Sequence, residues 1–129
     1  MPQDRESGAA AVKYGLETAR QIAKALGAKK IGNLRSNEYD LEGKKIVIKC
    51  ARATTKSVGV PYHMLKRLDA VIGSFETEAG SYDLYEMTPE TYVRNMKPTC
   101  SKGTSSGRVG VVPKSTFIKR CNLIKTVRL

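Results

Sequence analysis

Two carboxylates and an ammonium group lie close enough in the sequence to meet in space. Glu38 and Asp40 belong to the run SNEYDL (Ser36 to Leu41), and Lys49 belongs to KIVIKCA (Lys45 to Ala51). In an extended strand residues two apart point to the same side. Glu38 and Asp40 then share one face of the first run, and Val47 and Lys49 share one face of the second. A turn at Glu42-Gly43-Lys44 would fold the runs together and let both carboxylates and the lysine converge at a sheet end. Carboxylates are hard oxygen ligands suited to Mg²⁺, and a lysine beside them can orient an attacking water or offset charge developing on a phosphate. The same hairpin equally allows Glu38 and Asp40 to be surface charges paired with Lys44 or Lys45.

Charge is distributed unevenly along the chain. After Glu90 there is no acidic residue, while Arg94, Lys97, Lys102, Arg108, Lys114, Lys119, Arg120, Lys125 and Arg128 are all basic. Most of the net charge of +11 therefore lies in the last third. A uniformly positive segment that still contains Val, Ile, Leu and Phe is expected to fold with the domain and offer one basic surface to a polyanion. Nucleic acid, DNA foremost, is the leading partner, with Lys97, Lys102, Arg108, Lys114, Lys119 and Arg120 as the expected contacts. Within that segment SKGTSSGR (Ser101 to Arg108) reads either as a flexible linker or as a phosphate-contacting loop, its glycines letting the main chain approach a phosphate. It lacks the Gly-Lys-Ser/Thr ending and the spacing of a P-loop.

Other chemistries find little support. The one histidine, His63, reads as a surface or capping residue of a short helix or as a catalyst. Cys50, Cys100, Cys121 and His63 lack the close spacing of a structural zinc site. There is no Gly-x-Ser-x-Gly elbow for a serine hydrolase. An odd cysteine count, with no stretch ordered like a secretory signal, predicts a reduced, cytoplasmic protein. The longest apolar runs fall far short of the roughly 20 residues needed to cross a bilayer. A chain with no Trp and two Phe also lacks the anchors of a membrane-surface helix.

At 129 residues and 40% hydrophobic, the chain suits one domain with its own core. Residues 1–7 are polar and expected to be flexible, and residues 99–129 form a basic C-terminal extension. Val12, Leu16, Ala19, Ala23 and Leu26 recur at helical spacing and predict a helix from about Ala9 to Leu26, ended by Gly27. The opposite stripe, Lys13, Glu17, Arg20 and Lys24, reads as solvated and partly salt-bridged. A first hairpin is predicted over the SNEYDL and KIVIKCA runs, with the second run central because Ile46, Val47 and Ile48 are apolar on both faces. Ala53 to Val60 reads as a small-residue loop, PYHMLKRL as a short helix begun by Pro61, and AVIGSF with YDLYEM as a second hairpin. Thr88-Pro89-Glu90 starts a helix that Pro98 ends. VGVV (Val109 to Val112) reads as a strand, and FIKRCNLIKTVRL as strand or helix. The expected class is α/β (α+β), one small mixed central sheet flanked by helices.

The first helix with Gly15-Leu16-Glu17, followed by SNEYDL, IVIKCA, a small-residue loop, a helix and further strands, resembles the PD-(D/E)xK nuclease superfamily over roughly residues 8–87. The resemblance implies a restriction-endonuclease-like core. In that family a helix glutamate, a strand aspartate, and an acid two residues before a lysine surround one or two divalent metals. Matched residue by residue, Glu17, Asp40 and Lys49 take the first, second and last of these places. The acid two before Lys49 is replaced by Val47, which cannot bind a metal, so Glu38 is expected to substitute. The resemblance thus implies Mg²⁺ held by Asp40, Glu38 and Glu17, with Lys49 as the fourth catalytic residue of an endonuclease acting on DNA phosphodiesters. It equally implies an inactive relative kept as a DNA-binding or protein-assembly module. Because such nucleases often act as pairs on two strands, it also implies a homodimer.

Overall fold

The computed structural model describes residues 5–31, 37–98 and 109–129, with side chains in the first helix described from residue 13 onward. Helix α1 (Arg5–Leu26) starts four positions before the predicted Ala9, within the segment expected to be flexible. It ends at Gly27, whose φ of 78° turns the chain left-handed. Gly27 N donates to Lys24 O and Ala28 N to Ala23 O, the paired closure that satisfies the last carbonyls of a helix. Ala19, Ile22 and Ala23 are its buried stripe.

After the two-residue strand β1 (Lys29–Lys30), strands β2 (Glu38–Leu41) and β3 (Lys44–Ala51) form the predicted hairpin. Its two turn residues, Glu42 and Gly43, have φ of 53° and 88°, the left-handed pair that matches the twist of the flanking strands. Strand β4 (Ser57–Pro61), helix α2 (Tyr62–Leu65), strands β5 (Ala70–Glu78) and β6 (Ser81–Met87) and helix α3 (Pro89–Asn95) come next. Then follow β7 (Lys97–Pro98), β8 (Val109–Pro113), α4 (Lys114–Arg120) and β9 (Leu123–Arg128). Thr88 caps α3, its side chain accepting from Thr91 N, as its position before Pro89 predicts.

The class is mixed α and β, as expected, but the strands form two sheets where one was predicted. A six-stranded sheet runs β1-β2-β3-β5-β6-β9, and a three-stranded sheet runs β4-β8-β7. β3 pairs with β5 in parallel and all other neighbours are antiparallel, so the large sheet is mixed. The second sheet arises from the segment expected to be a loop. In Ser57–Pro61, Val58 and Val60 are buried and their neighbours are partly exposed, a period-two pattern hidden in a short, glycine-containing run. PYHMLKRL also differs: α2 is a single turn with Pro61 just before it. FIKRCNLIKTVRL is both of its alternatives, the end of α4 and then β9.

Two apolar clusters lie on opposite faces of the large sheet. Under α1 are Ala19, Ile22, Ala23, Tyr39, Ile46, Ile48, Ile72, Leu84 and Val127. On the other face Val47, Val71 and Phe75 meet Val60, Met64, Leu65, Tyr92, Val112 and Phe117 from the smaller sheet and helices α2, α3 and α4. β3 supplies Ile46 and Ile48 to one cluster and Val47 to the other, which explains why its sequence is apolar on both sides. Among the described residues no helix is long and apolar enough to cross a membrane.

Tyr92 ties the smaller sheet to α3. Its buried hydroxyl donates to Gly110 O at 2.7 Å and lies 3.2 Å from Val58 O, reaching β8 and β4 together. Tyr92→Phe is expected to lower unfolding free energy by about 1–2 kcal/mol, because the ring still packs while a buried polar contact is lost. Urea denaturation measures this.

Candidate nucleic-acid interface

The hairpin register fixes which hairpin residues share a face. Glu38 stands opposite Val47 and Asp40 opposite Lys45. Val47 and Ala51 belong to the cluster away from α1, so Glu38, Asp40 and, by alternation along β3, Lys49 turn to that same side. The structure therefore brings these three of the four predicted site residues to one face. Glu38 is engaged by Arg67, whose Nε donates to Oε1 at 2.6 Å and Nη2 to Oε2 at 2.9 Å. Such a two-point guanidinium–carboxylate pair fixes orientation as well as charge. Asp40 Oδ1 accepts from Gly43 N at 2.9 Å and so stabilises the turn of its own hairpin. Lys45 N donates to Asp69 Oδ2 at 2.9 Å, and Asp69 N to Lys45 O at 2.7 Å.

Sequence reasoning missed Arg67, which is 29 positions from Glu38. The parallel register of β3 on β5, Ile46 against Ala70, delivers the chain just before β5 to the start of the hairpin. The run Lys66-Arg67-Leu68-Asp69 carried the available signal, a cation and an anion flanking a buried leucine.

Lys49 is largely shielded. Burial lowers its pKa from the usual lysine value, and electrostatic interaction with Cys50 and Glu38 opposes that shift. A lysine whose folded pKa is lowered carries a destabilising term that is full below that pKa and fades as pH rises toward the unfolded value near 10.5. The wild type is therefore expected to gain stability relative to Lys49→Met as pH climbs from 7 to 10. Chemical denaturation of both proteins across that range checks it, and a constant difference would contradict it.

Glu17 stands apart. It is exposed on α1 beside Leu16, Arg20, Lys30 and Tyr39, which line a groove of about 430 Å³. Tyr39 is part of the α1 cluster, so this groove opens on the side opposite Glu38 and Lys49. Among the described residues no three His, Cys, Asp or Glu side chains group so as to hold a metal ion. With Glu38 held by a guanidinium, Asp40 by a turn amide and Glu17 across the sheet, the donor set does not fit a divalent cation in this arrangement.

The basic residues divide as well. Lys119 and Arg120 are exposed in the last turn of α4, Arg94 in that of α3, and Lys97 on edge strand β7. Lys114 is partly buried, its Nζ 5.9 Å from the centre of the Phe75 ring. These elements lie on the Glu38 side of the large sheet. Lys102 and Arg108 fall outside the described residues, as does Cys100. Lys125 lies on the other side, where its Nζ donates to Ala25 O at the end of α1. The single basic surface predicted for the C-terminal third is thus split by the sheet.

The remaining candidates are quiet. His63 is exposed on α2. Burial pushes the Cys50 thiol up to about 12, and Cys50 and Cys121 pack against opposite clusters. Neither a scan against protein-family models nor a search of curated proteins gives a match for the chain.

Proposed function

We propose that the protein is a nucleic-acid-binding domain, resembling the PD-(D/E)xK nucleases in layout, that holds DNA without cutting it. The observation that carries this reading is the Glu38–Arg67 pair. The carboxylate expected to replace the missing acid at Val47 already has a cation from its own chain. Lys97, Lys119, Arg120 and Arg94 are among the exposed cations available to phosphates on that side, and phosphate contact requires charge rather than a fixed motif. Lys102, Arg108 and Lys114 extend the set in sequence.

A second reading, a Mg²⁺-dependent DNA endonuclease using Asp40, Glu38 and Lys49 without Glu17, which lies across the sheet, is favoured by one feature. Glu38 lies directly across the hairpin from Val47, the place where the family pattern has its acid. Supercoiled DNA incubated with the protein, with Mg²⁺ or with chelator, separates the two. The binding reading expects retarded but intact DNA in both cases. Mg²⁺-dependent nicking, lost in Lys49→Ala and Asp40→Ala, would establish the enzyme instead.

A further inference from the structure

The groove beside Glu17 lies between α1 and the β1–β2 edge of the large sheet, and its volume of about 430 Å³ falls inside the roughly 300–1,000 Å³ range of small-molecule sites. One wall comes from α1. Leu16 and Arg20 are one helical turn apart and so share a side, with Glu17 beside them. The other wall comes from the strands. Lys30 of β1 stands opposite Tyr39 of β2, and its Nζ lies 4.9 Å from the centre of the Tyr39 ring.

Two features of this lining call for a ligand. Tyr39 is only 4% exposed yet lines the groove, and its hydroxyl has no hydrogen-bond partner among the described residues, whereas a buried phenol ordinarily finds one. Burial raises the pKa of that hydroxyl and the charge of Arg20 pulls it back, which places guanidinium and phenol within each other's field. The second feature is uncompensated positive charge. Arg20 and Lys30 converge from different elements, and neither forms an ion pair among the described residues. Glu38, the acid whose field reaches Lys30, is already held by Arg67.

We propose that this groove binds a small monocarboxylate with a flat apolar body, its carboxylate held between Arg20 and Lys30 and its body laid against Leu16 and Tyr39. A guanidinium fork matches the planar geometry of a carboxylate, and the Tyr39 hydroxyl is free to donate to the same group. Its ring-sized body replaces water on the apolar lining. Glu17, on the same wall as Arg20, repels a second negative charge, so a monoanion is favoured over a dicarboxylate or a phosphate dianion. The inference does not rest on the nucleic-acid reading, because the groove opens on the side of the sheet opposite Glu38 and Lys49.

Cinnamate, a flat aryl monocarboxylate, is titrated into nucleic-acid-free, isotope-labelled protein and followed by two-dimensional NMR. The expected result is saturable shifts of the backbone amides of Leu16, Arg20, Lys30 and Tyr39, with a Kd of about 1 mM or tighter. Cinnamamide, which has the same shape without the charge, and p-carboxycinnamate, which adds a second charge, should each bind roughly tenfold more weakly. Arg20→Gln and Lys30→Gln should each weaken cinnamate about tenfold with the circular dichroism unchanged, since both side chains are exposed. Glu17→Gln should narrow the gap between cinnamate and p-carboxycinnamate. Absence of saturable shifts by about 10 mM cinnamate, a weaker affinity than any specific site of this size should show, would overturn the proposal. Equal affinity for cinnamate and cinnamamide, or a cinnamate affinity unchanged by both cation substitutions, would overturn it too.

Discussion

Replacing Lys97, Lys119 and Arg120 together by alanine is expected to weaken duplex DNA binding by about two orders of magnitude near 0.1 M salt, with the log–log salt slope falling by about 2.7. Each phosphate contact releases condensed counterions and contributes about 0.9 to that slope, so three lost contacts account for the change. All three residues are exposed, and none is paired with an acid among the ion pairs of the described residues. Their removal should therefore leave stability nearly unchanged. The matching triple of Lys13, Arg20 and Lys24 on α1, across the large sheet, should have a smaller effect. Fluorescence anisotropy over a series of salt concentrations measures both. A larger loss from the α1 triple would move the interface to the other face.

Phe117→Ala is expected to have the largest effect on stability, about 3–5 kcal/mol, with a melting temperature lower by on the order of 10–20 °C. Phe117 is fully buried and packs edge-on against Phe75 at 5.3 Å and Tyr92 at 6.4 Å between ring centres. A methyl group on Gly73 would lie 2.8 Å from the Phe117 ring, so the sheet is bare at that point to let the ring in. The α4 that Phe117 anchors has seven residues, too short to hold its shape without packing. Truncating the ring thus loosens the helix that presents Lys119 and Arg120. DNA affinity should fall at temperatures below the global transition, which thermal melts and anisotropy on the same sample would reveal. Unchanged melting would contradict this packing role.

The parts of the fold readable from sequence were those set by local chemistry. The apolar period of α1, the Glu42-Gly43 turn, the turn between β5 and β6, and the Thr88-Pro89 cap each specify structure within a few residues. The smaller sheet was not readable because β4 is five residues long and its partner β8 lies about fifty positions away. The passage from α4 to β9 was ambiguous because Phe117 and Val127 satisfy different periods within one run. For the candidate site, alternation along two strands placed Glu38, Asp40 and Lys49 on one face. It could not place Glu17, whose side depends on which face of the sheet α1 covers. Nor could it supply Arg67, whose contact depends on the parallel crossover from β3 to β5. The pairing that most changes the chemistry of the site is therefore the one set by tertiary register.

The most direct measurement is the affinity for duplex DNA as a function of salt in the presence of a chelator. The expected result is tight binding at low salt that needs no divalent cation and falls steeply, by about 0.9 log unit per log unit of salt for each phosphate contact. An affinity indifferent to salt, or binding that appears when Mg²⁺ is restored and not before, would contradict a cation-independent hold on nucleic acid.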